Sequence, residues 1–282
     1  MYQIKYFIIV SITIAALITI NACNEGNLTQ PEQDPPTIPP VTTFLMTFDD
    51  FDQGLLSKPV AVTSGQIMGP QSNNNWLFAA ANVYIWQTII NVTLAVPAHS
   101  FMAAFLKDRT PEYKGGEWIW SYDFNCLAGL YHAELHGEIV GDQVEWAMYI
   151  SKEGVYENFQ WYTGTSKLTG TEGTWTLNKE PQYPISLLYI EWHRNPEDLT
   201  YDIKYTNVLD GSEDKGSYIL NGVTDDTDYD AFYTIYNIKE LNTTEIKWHR
   251  TAKYGRVKDS KHFGDDLWHC WDENGADVIC ED

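Results

Sequence analysis

Four aspartates lie within six positions, and together they could hold a divalent cation. They are Asp225, Asp226, Asp228 and Asp230, separated only by a threonine and a tyrosine. Carboxylates this close repel one another unless water solvates them or a cation neutralises them, and Ca²⁺ takes about six to eight oxygen ligands. The run does not match an EF-hand loop, which needs a glutamate at its last position. The sequence therefore allows two interpretations, a calcium site or a solvated acidic turn.

A second group with metal-binding chemistry alternates along a predicted strand. His132, Glu134 and His136 are every second residue, so they share one face of that strand. Neighbours at this spacing lie about 6.5–7 Å apart, so two of them can hold one metal, whereas residues four apart need help from another strand. The alternative is a solvated polar face, which is the commoner use of such residues.

No catalytic signature accompanies these side chains. The sequence contains no Gly-x-Ser-x-Gly, no P-loop, no His-Glu-x-x-His and no Cys–His pair with a family signature. Its carboxylates are too numerous to select an acid and a base without geometry. These observations lean against an enzyme, and a carboxylate-dependent hydrolase is the least favoured of three hypotheses.

The other two hypotheses are non-enzymatic. The first is a β-rich domain that displays a binding or structural surface for an unknown ligand. The second is a carbohydrate-binding module, because the chain contains 11 tryptophans and 18 tyrosines beside many Asp, Glu and Asn residues. Those residue types stack on sugars and form hydrogen bonds with them. Ca²⁺ would assist the second function if the acidic run binds it.

The N-terminus has the features of an export signal. Lys5 precedes a 14-residue apolar stretch, residues 7–20, and the sequence Ile-Asn-Ala-Cys ends at Cys23. Such a stretch fits a secretory signal and is too short for a membrane-spanning helix. With its cysteine it resembles a bacterial lipobox, and the alternative is an ordinary signal with a chance cysteine. The resemblance implies that Cys23 is acylated and becomes the new N-terminus. Asn24, in place of an aspartate, implies export to the outer membrane of the cell envelope.

Export also bears on the remaining three cysteines, since a translocated domain is free to form disulfides. Cys270 and Cys280 flank nine residues with Asn274-Gly275 between them, a sequence typical of a hairpin turn. We expect these two to pair and Cys126 to remain a small buried side chain. Three pairings are possible, and the sequence alone does not exclude the other two.

Composition divides the chain into three parts. Residues 1–22 are the signal peptide. Residues 23–43 comprise the lipidated cysteine and a tether that holds five of the twelve prolines, and a semi-extended tether reaches at most about 3.1 Å per residue. Residues 44–282 are expected to form one β-rich globular domain, since all-β domains of this size are often single.

The net charge of −21 restricts the partners. A strongly acidic chain repels phosphate backbones, which argues against nucleic acid. It also opposes attraction of the domain to anionic lipid, so the lipid anchor must hold the protein at the membrane. Solubility is the simplest explanation of the acidity itself.

Two helices are predicted near the start of the domain. Residues 76–94 place apolar side chains at helical spacing after an Asn-Asn-Asn run that offers an N-cap, and Pro97 opens a second short helix that reaches Lys107. Several β-branched residues between 83 and 92 leave two strands as the alternative.

Beyond Glu117 the apolar residues recur with a period of two. Residues 131–139 and 144–150 alternate apolar and polar side chains, and turn signals such as Gly141-Asp142 and Asp210-Gly211 separate the runs. The pattern predicts a mainly β fold, a curved antiparallel sheet or barrel of about ten strands with the N-terminal helices packed on it. Residues 190–194 resemble residues 246–250, each with a Trp-His-Arg sequence, and we interpret both tryptophans as core residues.

The lipobox interpretation predicts the effect of one substitution. Cys23→Ser removes the thiol that would be acylated, so the variant should leave the membrane fraction or accumulate unprocessed. Metabolic labelling with a radioactive fatty acid, followed by fractionation, measures both. Normal labelling of the variant would show that Cys23 is not the acylated residue.

Overall fold

The structure is a computed structural model that describes residues 34–48, 74–106, 109–126 and 129–281. The predicted signal peptide, Cys23 and the first part of the predicted tether lie outside the described residues. The described residues from Asp34 onward belong to one compact unit, Asp34–Asp282. Within it the side chain of Ile38 packs against the core, six residues before Phe44, where the sequence predicts that the domain begins.

Fourteen strands form one antiparallel sheet in which each strand pairs with the next along the chain. Their bounds are β1 Glu112–Lys114, β2 Glu117–Cys126, β3 Gly129–Val140, β4 Gln143–Lys152, β5 Tyr156–Lys167, β6 Glu172–Glu180, β7 Tyr183–Asn195, β8 Thr200–Asn207, β9 Tyr218–Val223, β10 Ala231–Asn237, β11 Asn242–Trp248, β12 Gly255–Lys258, β13 His269–Trp271 and β14 Asp277–Val278. The mainly β prediction is confirmed. The count of about ten is wrong, because strands as short as β1, β13 and β14 carry too few residues to show an alternation.

The sheet is open, so the closed-barrel alternative is wrong. Among the described residues, β1 pairs only with β2 and β14 only with β13. The alternation itself is confirmed: in β4, Val144, Trp146, Met148 and Ile150 are buried while Gln143 is exposed. One face of the sheet is therefore apolar and must be covered, and the other face meets water.

The helices cover the apolar face, as the sequence predicts. They are α1 Asn74–Thr93, α2 Ala95–Ala103 and the short α3 Ser260–Phe263, with a 3₁₀ turn at Val41–Thr43. The tryptophan Trp76 and the valine Val83 of α1 are buried in the same core as the inward side chains of the strands. The predicted alternative of two strands over residues 76–94 is thus wrong.

The segment before α1 lies across this face as well. The ring of Phe44 stacks on Phe101 of α2 with centroids 4.6 Å apart and lies 4.7 Å from the ring of Tyr162. The Tyr205 hydroxyl donates to the Phe44 carbonyl oxygen at 2.7 Å and accepts from the Met46 N–H at 2.8 Å. Complete burial raises the pKa of Tyr205, so this hydroxyl stays protonated as a donor.

The C-terminal hairpin holds the N-terminus of α1. The predicted disulfide Cys270–Cys280 is confirmed. Next to it, Asp277 of β14 accepts the N–H of Asn75 at 2.9 Å, and the Asn75 side chain donates to the carbonyl oxygen of Cys270 at 2.9 Å. The first N–H groups of a helix lack partners within the helix, and a carboxylate there also favours the helix dipole. A residue distant in the sequence therefore caps the start of this helix.

Tryptophan rings lie on glycine backbones between neighbouring strands. Gly164 faces Trp175 across β5 and β6, and a Cβ added to Gly164 would lie 2.3 Å from a ring carbon of Trp175. Three further pairs have the same cross-strand arrangement: Gly137 with Trp146, Gly173 with Trp192, and Gly255 with Trp271. Trp192 and Trp248, the tryptophans of the two similar segments, are both buried, which confirms their assignment to the core.

This packing predicts a large cost for the smallest side-chain addition. In Gly164→Ala the new methyl would also lie 2.3 Å from the carbonyl oxygen of Thr174, and backbone cannot move away cheaply. We expect a loss of about 1–3 kcal/mol in the free energy of unfolding, measured by urea denaturation. Thr163→Ala, one residue earlier and on the opposite face of the strand, serves as the control and should change stability much less. Equal stability of the glycine variant and the wild type would contradict the packing.

Candidate functional site

A cavity of about 550 Å³ lies between helix α1 and the ends of strands β7 to β11. Its helical wall is formed by Phe78, Asn82, Ile85, Trp86, Ile89, Ile90 and Thr93. The strand ends and α3 contribute Leu187, Leu188, Asn207, Asp214, Ser217, Ile235, Tyr236, Asn237, Glu240, Asn242, Thr244, Asp259, Lys261 and His262. The helical wall is thus mostly aliphatic and aromatic, with Asn82 and Thr93 as its polar members. The opposite wall is mixed, and it carries the apolar Leu187, Leu188 and Ile235 among its polar residues. The volume is within the range of small-molecule sites, which is about 300–1,000 Å³.

The apolar wall follows from the composition of the helices. Residues 74–106 contain no Asp, Glu, Lys or Arg, although charged residues make up 20% of the chain. Ile90 of α1 turns into the core, whereas Ile85 and Ile89 remain 57% and 50% exposed. A helix of a water-soluble domain ordinarily places charged residues on its outward face. The outward face of α1 instead offers large apolar side chains at the mouth of the cavity.

The buried Asp259 organises the polar side. Its carboxylate accepts from the Asn242 amide at 2.9 Å, from the Thr244 hydroxyl, and from the backbone N–H groups of Lys261 and His262 at 3.1 and 2.9 Å. It therefore caps α3 and joins that helix to β11. The imidazole of His262 is then held flat on the Phe78 ring of α1, with centroids 3.7 Å apart. Asp259 is fully occupied by these bonds, so its role is to fix the cavity wall.

The cations around the cavity already have partners. Lys261 forms an ion pair with Glu240, and Lys239 lies 3.2 Å from Asp214 and 3.3 Å from Glu213. Hydrogen bonds from Lys239 to Asp214 and Glu213 raise the pKa of this ammonium. The polar side consequently presents amides, hydroxyls and carboxylates, with its positive charges neutralised. That surface suits an uncharged or cationic ligand group better than an anionic one.

The histidine group predicted from the sequence lies on the opposite, solvated face of the sheet. His136 Nδ1 is 2.6 Å from Glu117, and His132 Nδ1 is 2.8 Å from Asp123. Glu134 stands between the two rings, 3.8 Å from His132 Nε2 and 3.6 Å from His136 Nε2. Within the described ranges, no group of three or more His, Cys, Asp or Glu side chains is placed to hold a metal ion. The structure thus shows a row of polar contacts in which each imidazole lies beside carboxylates.

A polar depression of about 490 Å³ adjoins this row. Glu117, His136, Glu138, Glu145, Trp146, Ala147, Gln160, Thr163, Gly164, Thr165, Thr174 and Thr176 line it. Glu138 and Glu145 are directly opposed on β3 and β4. The hydroxyls of Thr165 and Thr174 contact each other at 3.1 Å. The lining is rich in hydrogen-bonding groups, and Trp146 and Ala147 also contribute to it.

Two carboxylates of the acidic run accept hydrogen bonds from other groups of the protein. Asp230 accepts from the backbone N–H and the Nε of Arg250 at 2.8 and 3.0 Å. Asp226 accepts the N–H groups of Asp228 and Tyr229, and these bonds, together with the charges of Lys247 and Arg256, lower the pKa of its carboxyl. Asp225 and Asp228 are exposed. The described geometry does not gather the four carboxylates around one point, and calcium binding by this loop stays a prediction without geometric support.

The tryptophans that suggested a sugar platform are mostly internal. Eight of the eleven are buried, and the other three, Trp86, Trp118 and Trp268, are partly covered.

The cavity beside α1 was not anticipated from the sequence. The signal that could have found it is the run without charges at residues 74–106, because a helix that is apolar on every side needs cover on every side.

Comparison with known protein families, with curated proteins and with solved structures finds no match to this chain. The site is therefore interpreted from its own geometry.

No single helix of the described residues is long and apolar enough to cross a membrane. The pair α1 and α2, bent by 72° at its break, meets the length and composition together.

The acidic loop allows a direct choice between its two interpretations. If Arg250 is the partner of Asp230, Asp230→Asn should lower the free energy of unfolding by about 1 kcal/mol, with or without Ca²⁺. Asp225→Asn, at an exposed position of the same loop, is the control and should have little effect. Thermal melting in excess Ca²⁺ and in a chelator provides the comparison. A melting temperature that rises with free Ca²⁺, and stops rising in Asp230→Asn, would establish a calcium site instead.

Proposed function

We propose that this protein is a lipid-anchored component of the cell envelope that binds an amphiphilic small molecule in the cavity beside α1. The observation that carries the proposal is the mixed lining of that cavity, in which Ile85, Trp86 and Ile89 of α1 stand opposite a wall that also carries hydrogen-bonding groups. Ligand sites are typically apolar pockets with a few polar groups that fix orientation.

The apolar side defines one half of the ligand. Ile85 and Ile89 expose about half of their surface next to the cavity, and burial of such surface against a ligand contributes about 25 cal/mol per Å². An acyl chain or a fused-ring hydrocarbon would take this position. A ligand that is polar throughout would leave these side chains wet and gain nothing from them.

The polar side defines the other half. The amides of Asn82, Asn207 and Asn237 line the cavity. The Asn82 side chain donates to the Phe78 carbonyl oxygen, and the side-chain oxygens of Asn207 and Asn237 accept backbone N–H groups, so each amide is held in place. Lys261 of the lining is paired with Glu240, so its charge is already used and favours an anionic ligand group little. The head group we infer is a hydroxyl, an amide or an amine.

The cellular location in this proposal comes from the lipobox resemblance. Acylation at Cys23 would hold the domain at a membrane, and Asn24 would direct it to the outer membrane. A membrane surface is also where amphiphilic molecules are concentrated. The cavity and the anchor therefore support one another as parts of a single function.

A carbohydrate is the second candidate ligand, and its site would be the polar depression on the solvated face. Glu145, Gln160 and the threonines there are suitable partners for sugar hydroxyls. The burial of most tryptophans removes the stacking platform that first suggested this function. A carboxylate-dependent hydrolase at the same depression, with Glu138 and Glu145 as its opposed pair, is the least favoured proposal.

The proposed function predicts how two matched variants differ. Ile89→Asp places a charge in the apolar wall, whereas Val92→Asp places the same charge one helical turn away, at a position that is 76% exposed and does not line the cavity. We expect Ile89→Asp to weaken binding of the uncharged fluorophore N-phenyl-1-naphthylamine at least about tenfold, which is about 1.4 kcal/mol. Val92→Asp should bind within about twofold of wild type. Fluorescence titration of the purified protein measures both.

Two results would count against the cavity. One is an equal loss of binding in both variants, which would indicate a surface effect of charge on the helix. The other is full binding by Ile89→Asp, which would place the fluorophore elsewhere. Far-ultraviolet circular dichroism and the melting temperature of each variant establish that the fold is retained.

A further inference from the structure

The outward face of α1 carries an apolar surface that none of the described residues covers. Tyr84, Ile85, Ile89 and Val92 are 59%, 57%, 50% and 76% exposed, and at 3.6 residues per turn they lie within an arc of about 140°. The inward face is buried against the sheet, so α1 is apolar on both sides. A helix of this kind is normally enclosed, and its free face requires a partner.

The apolar surface extends beyond α1. Met102 of α2 and the two residues Phe105 and Leu106 that follow it are also exposed. Together with α1 they form one stretch, residues 74–106, without a formally charged side chain. We refer to Tyr84, Ile85, Ile89, Val92, Met102, Phe105 and Leu106 as the α1–α2 apolar surface.

We propose that the α1–α2 apolar surface docks on the lipid bilayer to which the protein is anchored, and that the cavity fills from the membrane. This inference rests on the proposed function, because it requires the lipid at Cys23. It names the source of the ligand, which is the acyl region of the same membrane.

Charge selects the bilayer as the occupant. The chain has a net charge of −21, and an acidic surface is repelled by anionic lipid. Residues 74–106 contain no carboxylate, so contact through the α1–α2 apolar surface places no acidic side chain of that stretch against the lipid. Tyr84 adds an aromatic ring with a polar end, a side chain that favours the membrane interface. The charged surfaces of the sheet would remain directed to water.

The length of the tether makes the contact accessible. Ten residues separate Cys23 from Asp34, where the folded unit begins, and in an extended polyproline II conformation ten residues span about 31 Å. An anchored domain is thus held within reach of the bilayer at a high effective concentration. A modest affinity of the apolar surface is then sufficient for docking.

Docking also accounts for the position of the cavity mouth. Ile85 and Ile89 belong both to the α1–α2 apolar surface and to the cavity lining. If this surface rests in the interface, the mouth opens toward lipid, and an apolar molecule enters the cavity without crossing water. Transfer of an acyl chain through water would cost about 0.8 kcal/mol per methylene, so a continuous apolar route is a physical advantage.

The test places an environment-sensitive fluorophore at two equally exposed positions. Val92→Cys lies on the α1–α2 apolar surface, and Leu199→Cys, in the β7–β8 turn, is 78% exposed against 76% for Val92. Both are made in the full chain with Cys126→Ala, labelled, and reconstituted into vesicles of phosphatidylethanolamine and phosphatidylglycerol. Quenching by lipids that carry a nitroxide on the acyl chain reports contact with the bilayer.

We expect quenching at residue 92 to exceed that at residue 199 at least about threefold, with a blue shift only at residue 92. A third label, at Leu106→Cys, should behave like residue 92. Equal quenching at residues 92 and 199 would overturn the proposal. So would a blue shift at residue 92 that grows with protein concentration without lipid, since a second copy of the chain would then be the occupant.

The two proposals can fail separately. Residue 92 does not line the cavity, so the labelled protein can be titrated with N-phenyl-1-naphthylamine in the absence of vesicles. Intact fluorophore binding without lipid quenching at residue 92 would overturn docking and leave the binding function standing. Lipid quenching without fluorophore binding would do the reverse.

Discussion

A single antiparallel sheet has two faces, and only one of them can be left in water. Here the strands alternate so regularly that nearly every inward residue of β3 and β4 is apolar. With no second sheet in the described structure to pack against, the task of covering this face falls to α1, α2 and the segment around Phe44. The cavity exists at the place where this cover is incomplete, between the second half of α1 and the ends of β7 to β11. The fold and the candidate site thus have one origin.

Large aromatic rings fill the covered face, and glycines in the neighbouring strands leave room for them. Trp146, Trp175, Trp192 and Trp271 each lie on the backbone of a glycine in the next strand. A ring placed flat on backbone occupies little depth, so the layer of helices can come close. These rings are almost completely buried, so they offer no stacking platform to a sugar, and the carbohydrate hypothesis loses the composition on which it depended.

The sequence predicted those parts of the fold that depend on local pattern. Alternation identified β3 and β4, helical spacing identified α1, and the Asn274-Gly275 turn identified the Cys270–Cys280 disulfide. It gave too few strands, because β1, β13 and β14 have only two or three residues each and show no period. The sequence also did not show that the sheet is open. That depends on whether the first and last strands pair with each other, which no single segment of the sequence reveals. The site was missed for a similar reason, since its residues come from α1, four strands and α3, and only the charge-free run of residues 74–106 hinted at it. The acidic run was easily recognised in the sequence. Its Asp230 nevertheless forms an ion pair with Arg250, which lies twenty positions further along the chain and could not be assigned as its partner from the sequence.

The cap on α1 has a consequence for the order in which the molecule assembles. Asp277, which receives the N–H of Asn75, is separated from it by 202 residues, and it lies inside the loop that the disulfide closes. The helix therefore has no cap from Asp277 until the two ends of the domain have met. The Cys270–Cys280 disulfide restricts the hairpin that carries Asp277, so oxidation of these cysteines and capping of the helix are linked through a single short loop.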